Sequence, residues 1–271
     1  MTDGAGDFLS GESGQVSGIR AIAKAIAADA VGDGLSLARL QPWRLRRAAL
    51  RWPRRRVLAL GVQRMDAPNL IASAREELGR SQHELRFATA PAEAAGKFEN
   101  LNLLLADNPP DAYDWLLIVD DDVALPHGFL DAFIFLAERF QLRLAQPAHR
   151  HRSHAAYRVT RRRALALARE TAFVEIGPVV GFAAPTFDVL LPFPELRAGW
   201  GLDAHWSAIA KEHRWPIGVI DATPITHRLR TIASSYDRRE AIEEAHRFLS
   251  GRPYTRAVDA QRTLATHRSW K

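Results

Sequence analysis

The sequence predicts an α/β protein built on a mainly parallel, mixed central sheet flanked by helices, and three observations carry that expectation. Short apolar runs rich in Val, Leu and Ile recur at 57–62, 114–119 and 217–221, each of a length suited to a buried strand. Between them, at 68–78, 96–106 and 129–140, apolar residues fall at helical spacing. Strands alternating with helices at this interval make a parallel sheet that is covered on both faces. A length of 271 residues allows one large domain or two small ones. With 47% hydrophobic and 25% charged residues, a disordered, collagenous or coiled-coil chain is excluded.

Taken in order, residues 1–16 are polar and Gly-rich, and 19–31 has the apolar spacing of a short amphipathic helix. Seven arginines (Arg44, Arg46, Arg47, Arg51, Arg54, Arg55 and Arg56) follow with no acid among them, interleaved with Trp43, Leu45, Leu50 and Trp52. Two readings stand there: a solvated, partly helical linker, or an interfacial segment that sets aromatic rings and guanidinium groups against anionic lipid. The strand at 57–62 leads to the helix at 68–78, with Asp66 placed as its N-cap. A weaker strand at 84–88 precedes the helix at 96–106, and the strand at 114–119 runs straight into Asp120, Asp121 and Asp122. Beyond the helix at 129–140, the pattern predicts a strand at 142–146, a helix at 160–170 and a strand at 173–176. Four prolines between 177 and 194 make part of that stretch loop. A helix at 204–213, the strand at 217–221, and a capping box at Asp237 to Glu240 opening a last helix complete the series. The resulting division is an N-terminal extension (1–55), a catalytic domain (56–230) and a C-terminal helical extension (231–271).

The formal net charge of +6 invites a nucleic-acid partner, yet the seven arginines exceed that whole excess, leaving the remainder near neutral. Nucleic acid is therefore disfavoured, and contact with a membrane periphery through 44–56 is the better use of the charge. The absence of cysteine excludes disulfide frameworks, thiolate metal sites and Cys nucleophiles. With no long apolar run and an acidic, Gly/Ser-rich start, the chain reads as cytoplasmic, or peripheral at a membrane.

Four features carry chemistry. Ligands of open α/β sheets sit beyond the carboxyl ends of strands, where the Asp triplet falls. Residues i and i+2 of an extended chain face the same way, so Asp120 and Asp122 converge while Asp121 points back. Two converging carboxylates suit Mg²⁺ or Mn²⁺, although Asp also favours turns after strands. Asp203, in Gly199-Trp200-Gly201-Leu202-Asp203, is either a helix cap beside a core Trp or a functional carboxylate. His227 follows the 217–221 strand and a Pro224 turn. His149, His151 and His154 form either a metal cluster or a basic loop near phosphate or solvent.

Jointly these features resemble the GT-A fold of metal-dependent nucleotide-sugar glycosyltransferases. The similarity is closest to an uncharacterised GT-A-like family catalogued as domain of unknown function 707. It is carried by Gly96-Lys97-Phe98, 115–122, 144–148, Phe173-Val174-Glu175, 199–203, and 218–221 through His227, covering roughly 57–230. Here Asp121 stands where the plant relatives have Glu. The resemblance implies that Asp120 and Asp122 hold a divalent metal, Mn²⁺ or Mg²⁺, together with the nucleotide, and that His227 completes the metal shell. It implies Asp203 as general base, with inversion at the anomeric carbon. Gln63, Arg64, Lys97, Asn100, Asp120 and Asp121 become candidates for nucleotide contacts. Trp200 becomes a platform for a sugar face, and Glu175 an acceptor-binding or alternative basic carboxylate. The implied partners are a nucleotide-sugar donor and a saccharide or other hydroxyl acceptor. A metal-dependent phosphoryl or nucleotidyl transferase and a non-catalytic nucleotide-sugar or polyanion-binding protein are the alternatives.

Overall fold

The computed structural model describes residues 7–11, 14–92, 95–227, 229 and 237–271. Strand β1 (Arg56–Gln63) lies parallel between β2 (Glu84–Pro91) and β3 (Trp115–Val119). From β3 the sheet continues through β7 (Val179–Ala183), β5 (Leu144–His149), β8 (Ile217–His227) and β6 (Ala168–Thr171) to β9 (Thr263–His267). Strand β7 is antiparallel to β3 and β5, and β6 is antiparallel to β8 and β9, whereas β5 and β8 run parallel. A short β4 (Val123–Ala124) pairs with the far end of β8. The expected mixed central sheet is thus present, with the β1–β2, β1–β3 and β5–β8 pairings parallel.

Period-two alternation along β1 divides the core into two layers. Val57 and Ala59 join one cluster with Trp115 and Leu117, covered by α2 (Gln41–Ala49), α3 (Ile71–Gly79) and α5 (Phe129–Arg139). Leu58 and Leu60 join the other, covered by α4 (Lys97–Asp107), the short α6 (Phe187–Leu190), α7 (Leu202–Glu212) and α8 (Arg238–Leu249). Helix α5 is buried at every position from Phe129 to Ala137, which explains why its sequence is apolar on all sides. Helix α8 starts where the spacing predicts, with the Asp237 carboxylate accepting the Arg239 and Glu240 amides.

Several expectations are corrected. No helix forms over 160–170; a 3₁₀ turn (Arg158–Thr160), a loop and β6 take its place. Residues 173–176 form no strand, and the Glu175 amide donates instead to the Gln146 side chain. Leu70, not Asp66, caps α3. Strand β8 runs on through Pro224 to His227, so that histidine ends a strand rather than following a turn.

Both flanks pack into this body. In α1 (Ile19–Ala38), Asp29 accepts the His151 and Arg152 amides and Asp33 pairs with Arg150 and Arg162. Ahead of it, the Phe8 carbonyl accepts the Tyr157 hydroxyl at 2.6 Å, the Asp7 carboxylate accepts that of Tyr254 at 2.8 Å, and the Asp7 carbonyl accepts the Ala257 amide. These contacts stitch the N-terminal segment to Tyr157 of the central body and to the C-terminal segment along a seam. After α8 the chain adds α9 (Ala257–Ala260) and the edge strand β9, so the last segment is not purely helical. Among the described residues no helix is long and apolar enough to cross a membrane.

Candidate functional site

A cleft of about 990 Å³ opens beyond the carboxyl ends of β1 and β3, where a ligand site was expected. Its lining includes Arg64, Lys97, Asp120, Asp121, Asp122, Glu175, Trp200, Asp203 and His227, and so unites most of the candidate residues. Two do not join it. Gln63 turns its amide toward the Met65 sulfur, and the buried Asn100 amide is spent on the Ala95 and Gly96 carbonyls.

The Asp triplet divides as an extended chain requires. The Asp121 carboxylate points back and accepts the Arg64 amide at 2.7 Å. Asp122 meets His227, Oδ2 to Nε2, at 3.2 Å, because β4 pairs with the end of β8 and brings Val123 opposite His227. Asp120 receives the Lys97 ammonium at 2.6 Å. Burial pushes the Asp120 carboxyl above its ordinary range against the pull of Lys97. For His227, burial draws the imidazole down, but the hydrogen bond and charge of Asp122, with Asp120 and Glu175 behind, outweigh it and leave the ring above its usual value. Gly177 makes the Lys97–Asp120 contact possible: a Cβ there would stand 2.9 Å from the Asp120 Oδ2 and 3.4 Å from the Lys97 Nζ.

Asp203 sits in the first turn of α7, after the helix-opening Gly201, and is therefore not the cap. Its carboxylate accepts the Ala204 amide at 2.9 Å. Burial raises its pKa to about 7, the Ala204 and Ile176 amides resisting and the Glu175 charge adding to the rise. Glu175 is far more occupied. One oxygen accepts the Ala156 and Tyr157 amides, and the other meets His149 Nε2 at 2.8 Å and accepts the Thr160 hydroxyl at 3.1 Å. It anchors the loop after β5.

The histidine run separates accordingly. His149 and His154 are buried and line the cleft, their rings 6.4 and 6.3 Å from that of His227, so both face the cleft rather than open solvent. His151 lies outside the cleft lining. Among the described residues no three His, Cys, Asp or Glu groups converge on one point as a metal cage would need.

Two sequence motifs a hundred residues apart turn out to be one lock. The Lys97 amide donates to the Arg197 carbonyl, and Gly199 lies at φ 77° with its α-carbon against Phe98. A Cβ on Gly199 would fall 2.1 Å from that ring, so Gly199→Ala combines a left-handed strain with a clash. It should lower the stability by about 1–3 kcal/mol, read as an earlier urea midpoint; an unmoved midpoint would mean that Phe98 yields freely.

Sequence reasoning missed the wall opposite the carboxylates. Arg238, Glu240, Glu244 and Arg247 of α8 line the cleft, as do Phe8 and Tyr157. The capping box announced the helix, but nothing in its local pattern placed it against the cleft. Trp200 lies beside it, with the Arg238 guanidinium 6.0 Å from its ring.

No family model matches the chain, and no curated protein matches it. Among solved structures, A197 from STIV is 12% identical with a TM-score of 0.44, covering 65% of this chain and 87% of its own. GalNAc-T7 with UDP, GalNAc and Mn²⁺ is 7% identical at 0.46, covering 72% of this chain and 48% of its own, so this chain spans about half of it. A mycobacterial protein is 16% identical at 0.43, with 78% of each chain covered. Likeness at this level assigns no chemistry to the cleft.

Proposed function

We propose that this protein transfers a sugar from a nucleoside-diphosphate donor to an acceptor hydroxyl, with Mn²⁺ or Mg²⁺, and that the resemblance to GT-A glycosyltransferases reflects a shared chemistry. The observation that carries this is the composition of one cleft. At one end the Asp120, Asp122, His227 and Lys97 group suits a diphosphate, and in the same cavity Asp203 has a pKa of about 7.

Asp122 and His227 would hold the metal, offering one oxygen and one nitrogen that already approach within 3.2 Å. With only two protein ligands, the donor set fits a cation that fills its other positions from phosphate and water, as Mg²⁺ and Mn²⁺ do. When bound, such a cation stabilises charge on the leaving diphosphate. Lys97, held by Asp120 and reaching toward the Ile176 carbonyl, adds a second positive charge on that side. Asp120 is placed to accept ribose hydroxyls. Asp203 takes the proton from the acceptor hydroxyl as that oxygen attacks the anomeric carbon, and the nucleoside diphosphate departs from the opposite face, which inverts the configuration. A carboxyl with a pKa near 7 is well matched to that exchange at neutral pH. The engagement of Glu175 by four protein donors supports Asp203 over it as the base. Trp200 would offer its ring to a sugar face.

A two-ligand metal site makes a specific prediction. Mn²⁺ alone should barely move the melting temperature, whereas Mn²⁺ with the correct nucleotide sugar should raise it by several degrees. That is the size expected from about 2.7 kcal/mol at a hundredfold excess over Kd and about 2–4 °C per kcal/mol. Asp122→Ala should abolish the synergy. No response to any nucleotide sugar would end the transferase reading, and turnover of a nucleoside triphosphate that survives Asp203→Asn would favour the phosphoryl transferase instead.

A further inference from the structure

We infer that the outer face of α2 is a docking surface for an anionic lipid bilayer, a property independent of the chemistry in the cleft. Helix α2 buries Leu45 and Ala49, one turn apart, against the body. The opposite face carries Trp43, Arg47 and Leu50 at positions i, i+4 and i+7, which share one side of a helix. Trp43 is 59% exposed, Leu50 47% and the neighbouring Leu40 58%, although large apolar side chains on a helix flank ordinarily find cover. Arg46 and Arg47 are exposed on α2 and Arg51 and Arg54 just beyond it, and none of the four makes an ion pair among the described residues. Arg55, by contrast, is tied to Glu138. The C-terminal end of the chain extends the same surface: Arg44 lies over the Trp270 ring at 5.7 Å, and Lys271 follows.

Charge and shape select the occupant. A convex helix with a Trp, two leucines and arginines on one side is the pattern of a segment lying in the headgroup region, aromatic and aliphatic groups inserted and guanidinium groups on phosphate. A nucleic acid would use the arginines but has no place for exposed Leu40 and Leu50 on a convex face. A second copy of the chain, meeting this face with its own, would set arginine against arginine. The chain passes from α2 to the amino end of β1, while the cleft lies at the carboxyl end. Eight residues at 3.3 Å each set that separation at about 26 Å. The linker from α2 and the cleft thus lie at opposite ends of β1.

The full chain should co-sediment with vesicles of phosphatidylcholine and phosphatidylserine, weakly or not at all with phosphatidylcholine alone, and less as salt rises. Each arginine near such a surface contributes about fivefold, so Arg46→Gln/Arg47→Gln/Arg51→Gln should lower partitioning by about a hundredfold. Trp43→Ser should lower the binding that persists at high salt. Both variants should keep the parent's turnover with a soluble acceptor. Equal partitioning of parent and triple variant overturns the proposal. So does a random-sequence duplex that binds in an arginine-dependent, Trp43-independent way and displaces the vesicles. An arginine-dependent dimer in sedimentation without vesicle binding also overturns it. In each of these cases unchanged turnover leaves the transferase reading standing.

Discussion

Asp203→Asn is expected to lower kcat by about 10²–10⁴-fold, the usual contribution of a positioned general base, while donor binding with Mn²⁺ is kept. Asparagine has the shape of the protonated acid, and with a pKa of about 7 the parent carboxyl is already half neutral near neutrality, so the fold should tolerate the change. The pH dependence gives the sharper readout. The parent's kcat/KM should climb tenfold per unit at low pH and level off near 7, because only the deprotonated carboxylate accepts the hydroxyl proton; the variant should lose that limb. Stability should run the other way. The folded carboxyl, raised from 3.8 to about 7, holds its proton more tightly than the unfolded one, so through that window stability falls as pH rises. Above it the asparagine variant should be the more stable of the two. If Glu175→Gln rather than Asp203→Asn removed the ascending limb, the base would be Glu175.

Arg169→Met should cost about 3–5 kcal/mol, enough to threaten folding. Arg169 and Asp221 are both completely buried, joined at 2.8 and 3.0 Å across neighbouring strands β6 and β8. The guanidinium also donates to the Val159 and Arg161 carbonyls, and the aspartate accepts the Arg163 amide. Removing one partner strands a buried charge together with two carbonyls. The guanidinium chloride midpoint should therefore drop steeply with an unchanged slope. Arg169→Met/Asp221→Leu should recover part of the loss, since an apolar pair leaves no unpaired charge. A single variant with the parent's midpoint would show that water reaches the pair.

The same arginine explains a failure of sequence reasoning. Residues 160–170 are rich in Ala, Leu and Arg, which favour helices, yet β6 forms there because β8 and β9 both require a partner strand and Asp221 requires a guanidinium. Non-local pairing overrides local propensity. Apolar runs with no competing signal, at β1, β3 and α5, were legible because burial on all sides leaves a continuous apolar record. Strand β9 was not: exposed at alternate positions on the sheet edge, its five residues leave a weak pattern. In the cleft, Asp120 and Asp122 could be read from a strand end, whereas His227, expected after a turn, ends β8 itself. The amide of Asn100 could not be ruled out, since nothing in its spacing reveals that it serves its own helix start. The contribution of α8 depends on where the chain returns after β8, which no local pattern encodes.

The seam that the N-terminal segment makes with the central body and the C-terminal segment bears on how the cleft is assembled. Tyr157 and Tyr254 meet their partners across 149 and 247 positions of chain, the latter nearly the full contour. Contacts of such high contact order reward the chain only after long loops are closed. The opening free energy of the N-terminal segment should therefore lie well below that of the sheet. Phe8 to Gly11 line the cleft, so one rim of the site depends on these long-range contacts, and amide exchange there should report excursions in which the cleft widens while every central strand stays paired.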